Sequence, residues 1–447
     1  MTELREELLD FHPARARAGI ALALAATAPG VALRLSGAHV SDPIAALLFG
    51  LAIVGAAFLL SWAAEVAQLD ISAGLAIALL ALIAVLPEYA VDFVFARKGG
   101  NDFELYGEAC KAAGVARESN CSLALANMTG ANRLLIGVGW SLVVFIAWYR
   151  SRRAARPTSG IALSRPHAVE LSSLALATAY SLLLPLKRSV TLVDAAVLVG
   201  IFAAYTYRVA RAPAEEPHLV GPARYLGTFT TAGRRASVAG LFLLSGLVIV
   251  LVAERFAEAL VATGEALGVS EFLLVQWLAP LASEAPELLV ATLFAWRLET
   301  DSGLGTLVSS KVNQWTLLVG TLPIVFALAS GSTHGLPIDV VQREEILLTG
   351  AQSFLAVAVL ANLSISELEA AALFGLFWAQ FLLGAVLPER LHGLERLAVS
   401  AAYLVLGAAV LVRDRGRPSN LLRAGLAFAP AGSDEGGRSP AEPPGGR

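Results

Sequence analysis

The chain has 447 residues, 56% of them hydrophobic and only 15% charged, with a mean hydropathy of +0.67 and a formal net charge of −3. That balance excludes a soluble domain of this size, and apolar runs of about 20 residues recur along it, so an all-α polytopic membrane protein is expected. The net charge says little about partners; the lipid bilayer is one, and no nucleic acid is expected.

Taken in order, a polar start over 1–17 leads into a first apolar span over 18–36, read as a retained anchor because no cleavage site follows it. Further spans are predicted over 43–67, 71–96, 121–149, 166–186 and 189–207. A polar, Arg-bearing connection over 208–236 precedes spans over 237–263, 267–296, 302–330, 344–363, 366–388 and 394–412, twelve in all. The stretch 413–447 is rich in Pro, Gly, Ser and Arg and is expected to be disordered. With the N-terminus inside, 20 of the 33 Lys and Arg fall on inward segments and 10 on outward segments or the outward ends of spans. Both termini are then cytoplasmic, in what reads as a bacterial plasma membrane. Cys110 and Cys121 fall in or beside the acidic segment 97–120, on the outer side by this count. Either a disulfide clamping that segment or two free thiols fits the pattern.

Two dipeptides, Pro87-Glu88 and Pro286-Glu287, each set a carboxylate after a proline inside a long apolar run. A charge at bilayer depth costs roughly 2.5–3.5 kcal/mol and usually faces an ion or proton path. Proline leaves the carbonyl four residues earlier unbonded, here those of Ile83 and Ala282. A carboxylate beside a freed carbonyl suits a hard cation. Asp92 lies four residues after Glu88, and Glu284 three before Glu287, so each pair shares a helix face. Together the four acids could hold a cation, hold protons, or exchange one for the other. Alternatively, Asp92 and Glu284 are structural partners of Arg133 and Lys311. Lys311 is the only charge between Ser302 and Ser330. A buried ammonium near Glu287 could stand in for a bound cation and release a proton when a cation arrives.

The chain also repeats itself. Leu69-Asp70-Ile71-Ser72 aligns with Leu267-Gly268-Val269-Ser270, which brings Pro87-Glu88 onto Pro286-Glu287 with one gap. The next span aligns Asn132-Arg133-Leu134-Leu135 with Asn313-Gln314-Trp315-Thr316. The second Pro-Glu span is the fifth after the first, and an odd offset inverts the second copy. Gly130, Gly137, Gly139, Gly303 and Gly305 are read as sites of close helix contact.

Pro-Glu in an apolar helix followed by a Gly/Ser/Asn-rich helix, twice and inverted, resembles the sodium/calcium exchanger (cation/Ca2+ antiporter) superfamily. That resemblance implies about twelve transmembrane helices built on two inverted five-helix repeats. The repeats are placed at 43–207 and 237–388, with extra helices at 18–36 and 394–412. It implies an ion site at mid-membrane where the repeats meet, with Glu88 and Glu287 as the metal-coordinating acids. Asn132 falls on the motif Asn of Gly130-Ala131-Asn132, and Asn313 is its counterpart. Asp92, Glu284, Lys311, Ser283 and Ser310 complete the candidate cation- or proton-binding set, with carbonyl ligands from Ile83 and Ala282.

This chain departs from the family pattern in three places. Before Pro-Glu the first repeat has Ile83-Ala84-Val85 where the family has Gly-Thr-Ser, and the second has Ala282-Ser283-Glu284. Lys311 stands where the first repeat has Gly130. Fewer ligands and a fixed cation lead to a secondary cation/proton antiporter as the expected function. A sodium/calcium exchanger proper and a non-transporting protein of the same fold are the alternatives. No enzymatic reaction is read: HExxH is absent, as is any GxGD-like motif. No cofactor is expected, only transported inorganic cations (Na+, H+ or Ca2+); the oligomeric state is not legible.

Overall fold

In hydrocarbon a backbone must bond to itself, and these Leu-, Ala- and Val-rich runs do so as helices. The computed structural model describes residues 12–70, 86–114, 118–154, 160–211, 219, 221–268, 271–413, 421, 423 and 425. The first half contains α1 (Pro13–Ser36), α2 (Asp42–Ala67), α3 (Leu86–Tyr106), α4 (Asn120–Leu134) and α5 (Ser141–Arg153), then α6 (His167–Ser181) and α7 (Leu192–Val209). A short helix, α8 (Gly221–Gly227), leads to the 37-residue α9 (Thr231–Leu267). The second half continues with α10 (Glu271–Ser283), α11 (Ala285–Trp296), α12 (Thr300–Asn313) and α13 (Val319–Ser330). It closes with α14 (Val340–Leu360), α15 (Glu367–Val386) and α16 (Glu389–Arg413).

The two halves run through the same sequence of elements. A π-helical turn, Leu135–Trp140, joins α4 to α5, and another, Gln314–Leu318, joins α12 to α13. Such turns frequently mark functional sites. Short strands β1 (Gly160–Ala162) and β2 (Ser189–Val190) precede α6 and α7, as β3 (Leu336–Pro337) and β4 (Ser364–Ser366) precede α14 and α15. The strands pair across the halves: β1 runs antiparallel to β4 with Ile161 opposite Ile365, and β2 to β3 with Val190 opposite Leu336. Capping boxes begin α7 (Thr191 with Asp194) and α15 (Ser366 with Glu369), stopping those helices at the strands.

One apolar core threads both halves, from Ile53 and Phe95 through Trp140 to Phe256, Trp315 and Phe326. The α2–α9 pair packs along its length, α3 lies against α4 and α13, α4 against α10, and α14 against α16. A smaller cluster around Leu59, Trp62 and Leu226 seats α8 on α2.

Among the described residues nine helical runs are long and apolar enough to cross a membrane, or ten if the bent pair α10–α11 is one span. The expected twelve is therefore not reached among them. Residues 71–85, half of the span predicted over 71–96 and including Ile83, lie outside the described residues. The span predicted over 344–363 is the helix α14, but Arg343, Glu344 and Glu345 sit in its first turns. The connection read as a loop over 208–236 contains α8 and the first turns of α9. The tail expected to be disordered lies mostly outside the described residues, yet Leu421 is buried in the main core. The acidic segment 97–120 begins as helix to Tyr106, and Cys110 and Cys121 are joined by a disulfide.

A candidate cation site at two Pro-Glu segments

Proline has no N–H to donate, so past the first turn of a helix it interrupts the hydrogen-bond ladder. α3 is described from Leu86, with Pro87 and Glu88 in its first turn. In the second half the apolar run does not merely kink: α10 ends at Ser283, Glu284 stands between helices, and α11 restarts at Ala285 with an axis turned by 55°. A continuous helix was the expectation for 267–296; Pro280 and Pro286 together interrupt its ladder. This break sets Glu287 in the first turn of α11, where unpaired amides and the helix dipole favour negative charge.

The two Pro-Glu segments face each other. Glu88, Glu284 and Glu287 bring ligand oxygens within 4.8 Å of one another. Glu88 and Glu284 are each 1% exposed, and one oxygen of each of the three carboxylates is buried with no hydrogen-bond partner among the described residues. The other oxygen of Glu284 accepts from the Gln314 amide, at the start of the second π turn. Oxygens so placed are available to a cation.

Lys311 is fully buried one turn before Gln314, on the same face. Its Nζ donates to the Asn132 carbonyl oxygen at 3.1 Å and to Asn132 Oδ1 at 2.7 Å, and lies 4.5 Å from the Trp315 ring centroid. Asn132 in turn donates from Nδ2 to the Met128 carbonyl at 2.8 Å, which turns its Oδ1 towards the lysine. The carboxylate that Lys311 faces is Glu284, the partner the sequence offered as an alternative, rather than Glu287.

Asp92 is buried beside Glu88 but outside the trio, and its Oδ1 accepts from Asn127 Nδ2 at 2.8 Å. Arg133 does not pair with Asp92; its Nη2 meets Glu345 Oε2 at 2.8 Å. Ser283 is buried, its hydroxyl bonded to the Ala279 and Pro280 carbonyls at 3.3 and 3.2 Å, so it braces the end of α10. Ala282 lies beside it in that last turn; Ser310 and Asn313 are buried on α12 around Lys311. The candidate set is thus largely brought together, with Asp92 held aside. Asn127, Gln314, Gln276 and Glu345 were missed, although amides and a third buried acid in apolar helices were signals to follow. A Cβ at Gly130 would lie 1.7 Å from the Gln276 carbonyl oxygen, so only glycine lets α4 and α10 cross here. Gly137, Gly139, Gly303 and Gly305 are also pressed against neighbours.

A family model described as sodium/calcium exchanger protein matches residues 43–210 and 237–385, both Pro-Glu segments included. This chain belongs to the sodium/calcium exchanger family. The exchanger is 40% identical to the H+/Ca2+ exchanger CAX, whose crystal structure it matches with a TM-score of 0.83 over 93% of its own length and 98% of the other. Native YfkE shares the fold at 12% identity, with a TM-score of 0.58 over 87% of the exchanger and 100% of that chain. Among curated proteins, "Putative antiporter CaxA" of Alkalimonas amylolytica is 27% identical over 141 residues, 31% of the exchanger and 42% of that relative's length. The exchanger is accordingly an integral membrane protein of the cation antiporter superfamily.

Proposed function

We propose that the exchanger carries a divalent cation, calcium first, in one direction and protons in the other through the Glu88–Glu284–Glu287 site. One observation carries this reading: three buried carboxylates share the site, and a buried lysine, taken here as an ammonium, faces one of them, Glu284. Fully ionised, they leave two negative charges, which one divalent cation or two protons neutralise. A low-dielectric interior strongly favours such neutral loaded states. Two acids and one ammonium would suit a monovalent cation; the third acid changes the balance. Calcium binds oxygens at about 2.3–2.6 Å, so ligands across one ion lie up to ~5 Å apart, and a trio within 4.8 Å fits that sphere. The relative named H+/Ca2+ exchanger, at 40% identity over nearly its whole length, supports the same pair of ions.

In this mechanism Glu88 and Glu287 face the cation from the two halves, and Glu284 is the third ligand, steered by Gln314. Lys311 occupies charge that a sodium/calcium exchanger proper would give to a further cation, which is why protons, not sodium, are the counter-ion here. Asp92, one turn further along α3, and Asn127 of α4, which donates to it, support Glu88. Matching element order supports two repeats related by inversion, at 43–207 and 237–388. The Cys110–Cys121 disulfide supports placing that segment on the oxidising side and both termini in the cytoplasm.

Purified exchanger in proteoliposomes with an internal pH dye tests the reading. Calcium added outside should drive proton efflux, whereas sodium or potassium should not; manganese reports selectivity among divalent ions. Proton movement with sodium and none with calcium would overturn it.

A further inference from the structure

A second buried charge cluster lies away from the trio, where α14, α15 and α16 meet α4 and α10. Glu345 of α14 forms an ion pair with Arg133, whose Nη2 lies 2.8 Å from Oε2, and accepts from Gln276 Nε2 at 3.0 Å, and Arg396 Nη1 lies 3.7 Å from its other oxygen. Arg396 is otherwise committed to Glu344, whose Oε2 its Nη2 meets at 2.7 Å. Glu395, next to Arg396 on α16, is 6% exposed, and its Oε1 is buried with no hydrogen-bond partner among the described residues. Charged neighbours facing it are Glu345 from α14, Arg133 from α4 and Arg396 from its own helix, while α15 offers the Gln380 amide. Tyr403, two turns further along α16, is buried and faces Arg133.

Counting charge across this cluster gives two guanidinium groups against three carboxylates. Glu344 and Glu345 each have a guanidinium in contact, and Glu395 has none. An excess negative charge on a buried oxygen without a donor is costly unless something neutralises it. No cavity for a metal is needed; one hydrogen on a carboxyl oxygen suffices. The link to the trio is also short. Gln380 faces Glu395 and accepts at Oε1 from Arg133 Nη1 at 3.2 Å. Arg133 directly follows Asn132, whose carbonyl and Oδ1 hold Lys311.

We propose that Glu395 is a second, buried proton-binding site, distinct from the carboxylate trio, whose occupancy is passed through Gln380 and Arg133 to Asn132 and Lys311. The bound species is a proton, and the site belongs to α16, a helix lying beyond the stretches that match the family model. It makes the exchanger's pH dependence the sum of two sites rather than one.

Difference infrared spectroscopy of the full-length protein in lipid, between acid and alkaline pH, reads this without any transported ion. Wild type should show a protonated-carboxyl stretch that Glu395→Gln loses and that a Glu88→Gln/Glu284→Gln/Glu287→Gln variant keeps. Because no cation flux enters that measurement, its failure and failure of the calcium/proton reading are separable. Transport adds a second readout: Gln380→Met, which cuts the link to Arg133, should keep the infrared band yet displace the pH profile of flux. Should Glu395→Gln not accumulate as folded protein, Glu395→Asp should shift the frequency of the band. Carboxyl spectra identical in wild type and the Glu395 variants overturn the proposal, as does loss of the band in the triple variant alone.

Discussion

Replacing Lys311 by Met tests the charge argument most directly. The substitution keeps much of the volume and removes one positive charge and two donors, to the Asn132 carbonyl and Oδ1. Two buried acceptors left without a donor cost about 1–3 kcal/mol each, so a less stable but foldable protein is expected. With three carboxylates and no ammonium the site carries three negative charges when ionised, and one divalent cation leaves one of them unbalanced. Electroneutral loading then takes three protons in the return step where wild type takes two. The coupling ratio should rise from two to three protons per calcium, and the cycle should become electrogenic. Carrying one net charge through ~100 mV is about 2.3 kcal/mol, which changes the limiting calcium gradient roughly 40-fold. Proteoliposomes with a potassium-set membrane voltage, an internal pH dye and a calcium indicator give both ratio and voltage dependence. Wild type and Lys311→Arg should ignore the voltage, and Lys311→Met should follow it. A transporting Lys311→Met with the wild-type ratio and no voltage dependence would refute the reasoning and make the lysine structural.

Glu88→Gln and Glu287→Gln should each reduce calcium-driven proton flux to background while folded yield, read by size exclusion in detergent, stays near wild type; active single variants would remove them from the site. Gly130→Ala should fail to fold or lose thermal stability sharply, since its new methyl would overlap the Gln276 carbonyl; an unchanged melting temperature contradicts the α4–α10 contact. Arg133→Met should cost about 3–5 kcal/mol by leaving Glu345 short of its buried partner, measured as a loss of thermal stability relative to Arg97→Met, whose pair with Glu254 is exposed. Asp70, beyond the end of α2, is held below the usual carboxylate range by the Arg234 hydrogen bonds at 2.7 Å. Its stabilising effect is therefore complete above about pH 4 and fades as pH falls through the lower folded-state value, so the melting-temperature gap between wild type and Asp70→Asn should close in acid.

Much of this was legible in the chain because the bilayer narrows what a sequence can do. Long apolar runs can only be helices, and acids beside prolines within them must face something other than lipid. Glu88, Glu287, Glu284 and Lys311 stood out on those grounds. Their groupings did not. That Lys311 turns to Asn132 and Glu284, and Arg133 to Glu345, depends on how distant helices cross, which periodicity does not encode. Pro286 announced a distortion, but whether a helix kinks or restarts depends on what receives its freed carbonyls. Glu395 was hidden for another reason: near the start of a span it reads as a wetted terminal charge until α14 and α15 are seen to cover it.

The Cys110–Cys121 bridge ties the segment that follows the helix bearing Glu88 to the first turn of the helix bearing Asn132, across only 11 positions of sequence. Those two helices consequently behave as one lever, and any motion that exposes the carboxylates to the far side must carry both. A reductant in the purification buffer would unpin that lever without touching a single charged side chain. Material made in a reducing cytosol and material made through an oxidising route are in this sense two different machines, and flux should be compared between them before rates are compared between variants.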